Sequence, residues 1–130
     1  MINALTKRMA GFGIGRIEIL ATRGRRSGVS RQTPVSPITV EGAEYLVSPY
    51  GEVGWVHNLR ADSTATLRHG STERRVRVEE VAGSQAAHVV AVYHSREPFA
   101  RRYMDVPEHP TADDFAVAPH RFPVFRVIGL

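Results

Sequence analysis

The sequence predicts a mainly β fold of the α+β class, a small antiparallel barrel with helical additions. Three observations carry this. Short segments of alternating apolar and polar residues recur along the chain, each bounded by glycine, proline or other turn formers. No strand–helix–strand alternation of the kind that builds a parallel doubly wound sheet is present. And 130 residues at 42% hydrophobic suffice for one compact core, so residues 1–130 are expected to form a single domain.

The first strand is "RIEILATR", which places Ile17, Ile19 and Ala21 on one side at a period of two. An arginine-rich turn follows, and "RQTPVSPITV" then continues as an extended segment. Its Pro34 and Pro37 have no N–H to give a ladder, so this segment belongs at a sheet edge or carries a bulge. "EGAEYLV" reads as a tight turn at Glu41 and Gly42 followed by a strand, "GWVHNLRA" as a short helix, and "TATLRHGSTERRVRVEEV" as a hairpin around Gly70 and Ser71. A longer helix is expected from a Ser84 cap through Tyr93, and another after Pro98. "DVPEHPTADDF" has the proline and acid content of a surface loop, and "FPVFRVI" is the last strand.

Composition excludes several function classes. The absence of cysteine removes disulfides, thiolate nucleophiles, iron–sulfur clusters and cysteine zinc sites. The six histidines form no H-x-x-x-H pair with a nearby carboxylate, so no metal is expected. "GFGIG" lacks the spacing and preceding strand of a dinucleotide fingerprint, and "GRRSG" is too short for a phosphate-binding P-loop. No apolar run approaches the roughly 18 residues of a membrane span and no signal peptide is evident, which predicts a cytoplasmic protein without an integral membrane segment. The net charge of +4, with sixteen arginines against one lysine, points to an anionic partner.

That charge concentrates in "TRGRRSGVSRQTPV", residues 22–35, where four arginines fall within nine residues and no acid interrupts them. Gly24 and Gly28 permit positive φ and close approach of N–H groups to an anion. Ser27 offers a hydroxyl, and Arg25, Arg26 and Arg31 offer charged forks. These are the parts of a phosphate cradle on a hairpin; they are equally the parts of a solvated basic turn. Nucleic-acid binding is disfavoured because no aromatic residue interleaves the cluster between Arg23 and Arg31.

A second stretch, "YLVSPYGEVGWVHNLRAD", ends a strand in Ser48, Pro49, Tyr50 and Gly51 and enters at once a helix carrying Trp55, His57, Asn58 and Arg60. The arginine turn, "YLVSPYG", "GWVHNLRAD" and a closing "FPVFRV", in this order from about Ile17 to Val127, resemble the deazaflavin-dependent nitroreductase family. Its usual pattern is a TTGRKSG-x-x-R-x-x-P turn followed by a W-x-x-N-L helix.

The resemblance implies a split β-barrel of about six antiparallel strands with short helices packed around it, and a coenzyme F420 carrying a phosphodiester and an oligoglutamate tail. It implies that Arg26 and Arg31 grip the phosphate with Arg25 and Ser27 beside them. Thr33, Pro34 and the turn from Ser48 through Pro49 and Tyr50 to Gly51 then lie along the coenzyme, with Trp55 and Asn58 on the adjoining helix. The activity implied is hydride transfer between the reduced deazaflavin and a small quinone, enone or nitro compound. Members that reduce bulky nitro compounds carry tyrosines at a spacing of three after the hairpin; the corresponding positions here are Tyr93, Arg96 and Phe99. The acceptor is expected near Tyr93, Phe99 and Tyr103, and Tyr93 is the candidate to orient it or relay a proton. The alternatives are an FMN or pyridoxal-phosphate protein on the same barrel and a non-catalytic deazaflavin carrier. Charge favours the coenzyme with the longer anionic tail. Either a monomer or a homodimer is compatible with the sequence.

Overall fold

The computed structural model describes residues 16–98, 102, 104–107, 110–111, 114–115 and 121–129. The "GFGIG" segment, Phe99, Tyr103 and much of the 105–120 loop lie outside them, as does most of the helix expected after Pro98.

Among the described residues seven strands and two helices follow in order: β1 Glu18–Arg23, β2 Ser30–Val35, β3 Ile38–Val40, β4 Ala43–Val47, α1 Gly54–Ala61, β5 Thr64–His69, β6 Thr72–Val81, α2 Gly83–Arg96 and β7 Val124–Gly129. The strands form one sheet in the order β2-β1-β5-β6-β7-β4-β3, and every pairing is antiparallel.

The seventh strand arises from the segment 31–40, which breaks in two at Ser36 and Pro37. Pro37 cannot donate to a ladder, and the halves become the two opposite edges of the sheet. Pro34, in β2, pairs only across to Ile19. Two linking residues span at most about 11 Å. Edges so joined must lie close together at that end, which curls the sheet into a barrel with its opening between β2 and β3.

Two apolar clusters fill the fold. Leu20, Leu46, Leu67, Val76 and Phe125, from five strands, meet Val56 and Leu59 of α1 inside the barrel. On the other side of β4 and β7, Tyr45, Val47 and Val124 meet Val89, Val90 and Tyr93 of α2. β4 is thus buried on both faces. In β1 the side holding Ile17 and Ile19 is also buried, but the barrel interior takes Leu20 from the opposite side.

Both predicted tight turns form with the geometry their residues demand. Glu41 and Gly42 have φ of 51° and 81°, as a type I′ hairpin requires, and Gly70 has φ of 60° at the first position of a II′ turn. One helix start differs from expectation: α2 begins at Gly83 after an Ala82 N-cap that makes no side-chain bond, so Ser84 does not cap it.

Candidate cofactor site

β1 and β2 are joined by the arginine turn, residues 24–29, which is braced from within. The Gly24 N–H donates to the Val29 carbonyl at 2.8 Å and the Gly28 N–H to the Gly24 carbonyl at 2.8 Å. The Ser27 hydroxyl oxygen accepts from the Val29 N–H at 3.2 Å. A Cβ on Gly24 would stand 2.9 Å from both Ser27 Oγ and Val29 O, so only glycine fits there, while Gly28 takes φ of 72°.

The turn is also anchored from outside. Asn58, 4% exposed on α1, accepts at Oδ1 from the Arg25 N–H at 3.2 Å and from Arg25 Nη1 at 3.1 Å. Its Nδ2 donates to Thr22 Oγ1 at 3.1 Å. Of the N–H groups in the turn, those of Gly24, Arg25, Gly28 and Val29 are therefore engaged, and among the described residues those of Arg26 and Ser27 make no hydrogen bond. Among the described residues neither Arg26 nor Arg31 forms a salt bridge. Arg31 pairs opposite Thr22 and Thr33 opposite Leu20, which puts both on the α1 side of the hairpin; Pro34, opposite Ile19, faces the other way.

The second turn is built differently. Ser48 is fully buried; its N–H donates to the Pro123 carbonyl at 2.9 Å and its hydroxyl to the Gly51 carbonyl at 2.5 Å. The same carbonyl accepts from the Val53 N–H at 2.9 Å, just before α1 begins. Gly51 has φ of 84°, and the nearest atom to a Cβ there is 3.6 Å away, so it is required for its backbone conformation and not for lack of space. Pro49 is buried, whereas Tyr50 is 55% exposed. Trp55 packs its ring 5.9 Å from Phe125 at the top of the inner core. Helix α1 thus serves both turns: it grows out of one and grips the other through Asn58.

Tyr93 sits in the outer core at 2% exposure. Burial, then the charge of Glu97 and the neighbouring Tyr50 phenol, push its hydroxyl well above the usual tyrosine range, so it is protonated throughout neutral pH. Glu97, one helical turn on, accepts from the Ser36 hydroxyl at 3.1 Å and so ties α2 to the link between β2 and β3. Neither Thr22 nor the Ser36–Glu97 pair was signalled by the sequence; only the i,i+4 spacing of Tyr93 and Glu97 could have hinted at the latter. Phe99 and Tyr103 lie outside the described residues. Among the described residues no group of three or more His, Asp or Glu side chains could hold a metal, and no helix is long and apolar enough to cross a membrane.

Residues 5–107 match the sequence model of the F420H(2)-dependent quinone reductase family. None of the curated proteins matches the chain. Among solved structures it is similar to an F420-H2 dependent reductase (FDR-A), at 21% identity over 85% of this chain and 92% of that one, with a TM-score of 0.58. It is also similar to a domain-swapped dimer, at 20% identity over 97% and 96% of the two chains and a TM-score of 0.61. A nimc/nima family protein from Clostridium acetobutylicum matches at 12% identity over 96% of this chain and 81% of that one, with a TM-score of 0.57. These identities are low, and what they share with the chain is the fold. With the split barrel and the family match over residues 5–107 in agreement, the chain belongs to the F420H(2)-dependent quinone reductase family and is a reductase whose cofactor is coenzyme F420.

Proposed function

We propose that this chain holds the coenzyme's phosphate at the arginine turn, lays the deazaflavin ring along the Ser48–Gly51 turn, and delivers hydride to a small electrophilic acceptor of the quinone type. The observation that carries the reading is the donor set of the first turn: the Arg26 and Ser27 N–H groups stand free beside the Arg26 and Arg31 guanidiniums, neither of which is in a salt bridge among the described residues. Unengaged amides and charged forks on one hairpin are what a phosphodiester accepts from.

When bound, the deazaflavin supplies the hydride and so the difficult part of the chemistry. The residues have simpler tasks. Arg26 and Arg31 bind, Arg25 is committed to Asn58 and holds the turn in register, and Ser48 fixes the second turn from beneath. Thr33 lines the α1 side of the hairpin between them. Tyr50 presents an exposed phenol on the ring turn, and Tyr93 backs it from the core as a neutral hydroxyl, which burial makes a weaker acid and so suits to orienting an acceptor by a hydrogen bond. Two turns fixed to one helix hold phosphate and ring at a constant separation, which is how a binding protein keeps a reactive atom at near-attack distance.

The test is titration of the purified protein with oxidised F420 and, separately, FMN, followed by fluorescence, and then oxidation of F420H2 by a panel of quinones, enones and nitroaromatics. Tighter binding of F420 and quinone-dependent oxidation are expected. Equal or tighter FMN binding overturns the phosphate assignment, and coenzyme binding without turnover on any acceptor makes the chain a carrier.

A further inference from the structure

The arginines of the hairpin do not all serve one face. Side chains alternate along a strand, so Arg23 points to the side of the sheet opposite Thr22 and Arg31, away from α1. There it lines a cleft of about 270 Å³ together with Ser30, Thr64, Thr66 and Arg75. The register explains the shape. Ala21 pairs opposite Thr66, and Thr66 opposite Arg75, so a short side chain forms the floor of a row whose far end is a guanidinium; Arg23 and Ser30 form the next row.

We infer that this outer face of the β1–β2 hairpin is a second anion site, for a small oxyanion carrying two or more negative charges, phosphate or clustered carboxylate. Its cations come from β1 and β6 and its hydroxyls from β2 and β5, four strands converging on one concavity. No carboxylate lines it, and among the described residues neither Arg23 nor Arg75 forms a salt bridge. The neighbouring acid is Asp62, which does not line the cleft: its Oδ1 accepts from the Thr64 N–H at 3.1 Å and the Thr64 hydroxyl at 2.7 Å, which hold it on the α1–β5 link. These two bonds, with the field of Arg23, hold Asp62 ionised below the ordinary range. The Thr64 hydroxyl proton is spent on that bond, which leaves Thr66 and Ser30 as the hydroxyl donors toward the cleft. Two guanidiniums sharing a concavity repel each other, and a dianion between them turns that repulsion into two charge-assisted contacts.

The cleft adjoins the arginine turn, whose Gly28 lines it, but its cations stand on the sheet face opposite Arg31, and it does not rest on the coenzyme assignment. Its ligand has two chemical sources, a free oxyanion or the carboxylates of a bound coenzyme, and the experiment separates them. Inorganic phosphate is titrated into the 15N-labelled full chain at low ionic strength and amide shifts are followed. Saturable shifts at Ala21, Ser30 and Thr66 are expected, weakened about tenfold in Arg75→Gln and unchanged in Arg26→Ala. Thr66→Val, a near-isosteric change, guards against a folding artefact and should also weaken binding. F420 and its tail-less, phosphate-free chromophore are then bound to parent and Arg75→Gln. A loss confined to F420 assigns the cleft to coenzyme carboxylates; no loss for either assigns it to a free oxyanion. Shifts confined to Arg25–Ser27 and α1, or phosphate binding unaltered in Arg75→Gln, overturn the site.

Discussion

The two turns that flank α1 answer different demands with similar parts. Each has a glycine in the left-handed region, Gly28 at φ 72° and Gly51 at 84°, and each has a serine whose hydroxyl bonds within the turn. The arginine turn keeps its residues exposed from Arg25 to Val29, and its charge is left over after its own bracing is complete. The Ser48–Gly51 turn buries Ser48 and Pro49, carries no charge, and is stitched to the Pro123 carbonyl next to the last strand. A turn that must grip an anion keeps donors in reserve, whereas a turn that must border a flat ring spends its polar groups on holding still. Substitutions in the first should therefore change binding with little effect on stability, whereas substitutions in the second should cost stability together with binding.

The largest expected effect tests the first half of that contrast. The double variant Arg26→Ala/Arg31→Ala should lose about 3 kcal/mol of F420 affinity, roughly a hundredfold in Kd, with a denaturation midpoint close to the parent's. Lysine at either position should restore only part of the affinity, because it lacks the bidentate fork. A midpoint that falls in step with affinity would show that these arginines hold the turn and not the ligand. Next comes Gly51→Val, which forces a β-branched residue into a left-handed conformation and should cost about 2 kcal/mol of stability by urea unfolding. Unchanged stability there would erase the distinction between the turns.

Asn58→Ala bridges the two regions, since it unpins the arginine turn from α1. We expect about 1–2 kcal/mol of lost stability together with weaker coenzyme binding, because Thr22 and Arg25 lose their shared partner. Wild-type affinity in this variant would mean that the turn keeps its shape unaided. The smallest effect is that of Tyr93→Phe, about 1 kcal/mol at pH 7. Its signature is in pH. A phenol raised above its unfolded value contributes stability that is complete below about pH 10 and is lost as the pH rises through the folded value, since the unfolded chain ionises first. The parent should lose stability above pH 10 more steeply than Tyr93→Phe, and parallel curves would place the phenol in contact with water.

How much of this was legible in the sequence depended on how local each feature is. Both tight turns, both described helices and the arginine turn are encoded within a few residues, and period-two alternation located the strands. Pro34 and Pro37 correctly marked sheet edges, but one extended segment was expected where two strands form. The break at Ser36 becomes visible only when β3 pairs with β4 and leaves β2 on the far side of the sheet. The Ser84 cap failed because Ala82 and Gly83 let the helix begin earlier, placing the serine inside its first turn. Asn58 was read as a residue beside the coenzyme, and its bonds to Thr22 and Arg25 required a fold that brings together residues 36 and 33 positions apart. The Ser36–Glu97 pair spans 61 positions and had no local signal.

The two-residue link between β2 and β3 has a consequence for solubility. An open sheet offers two ladders of unpaired amides and carbonyls to any strand that passes, and such edges are the usual templates for association between chains. Here both edges are tethered to each other through Ser36 and Pro37, so near the link each ladder faces the other across the opening of the barrel and not the surrounding solution. Pro34 removes a donor from one of them, and β3, at three residues, is too short to template much. The opening of the barrel is thereby also the place where the sheet's adhesive rims are hidden.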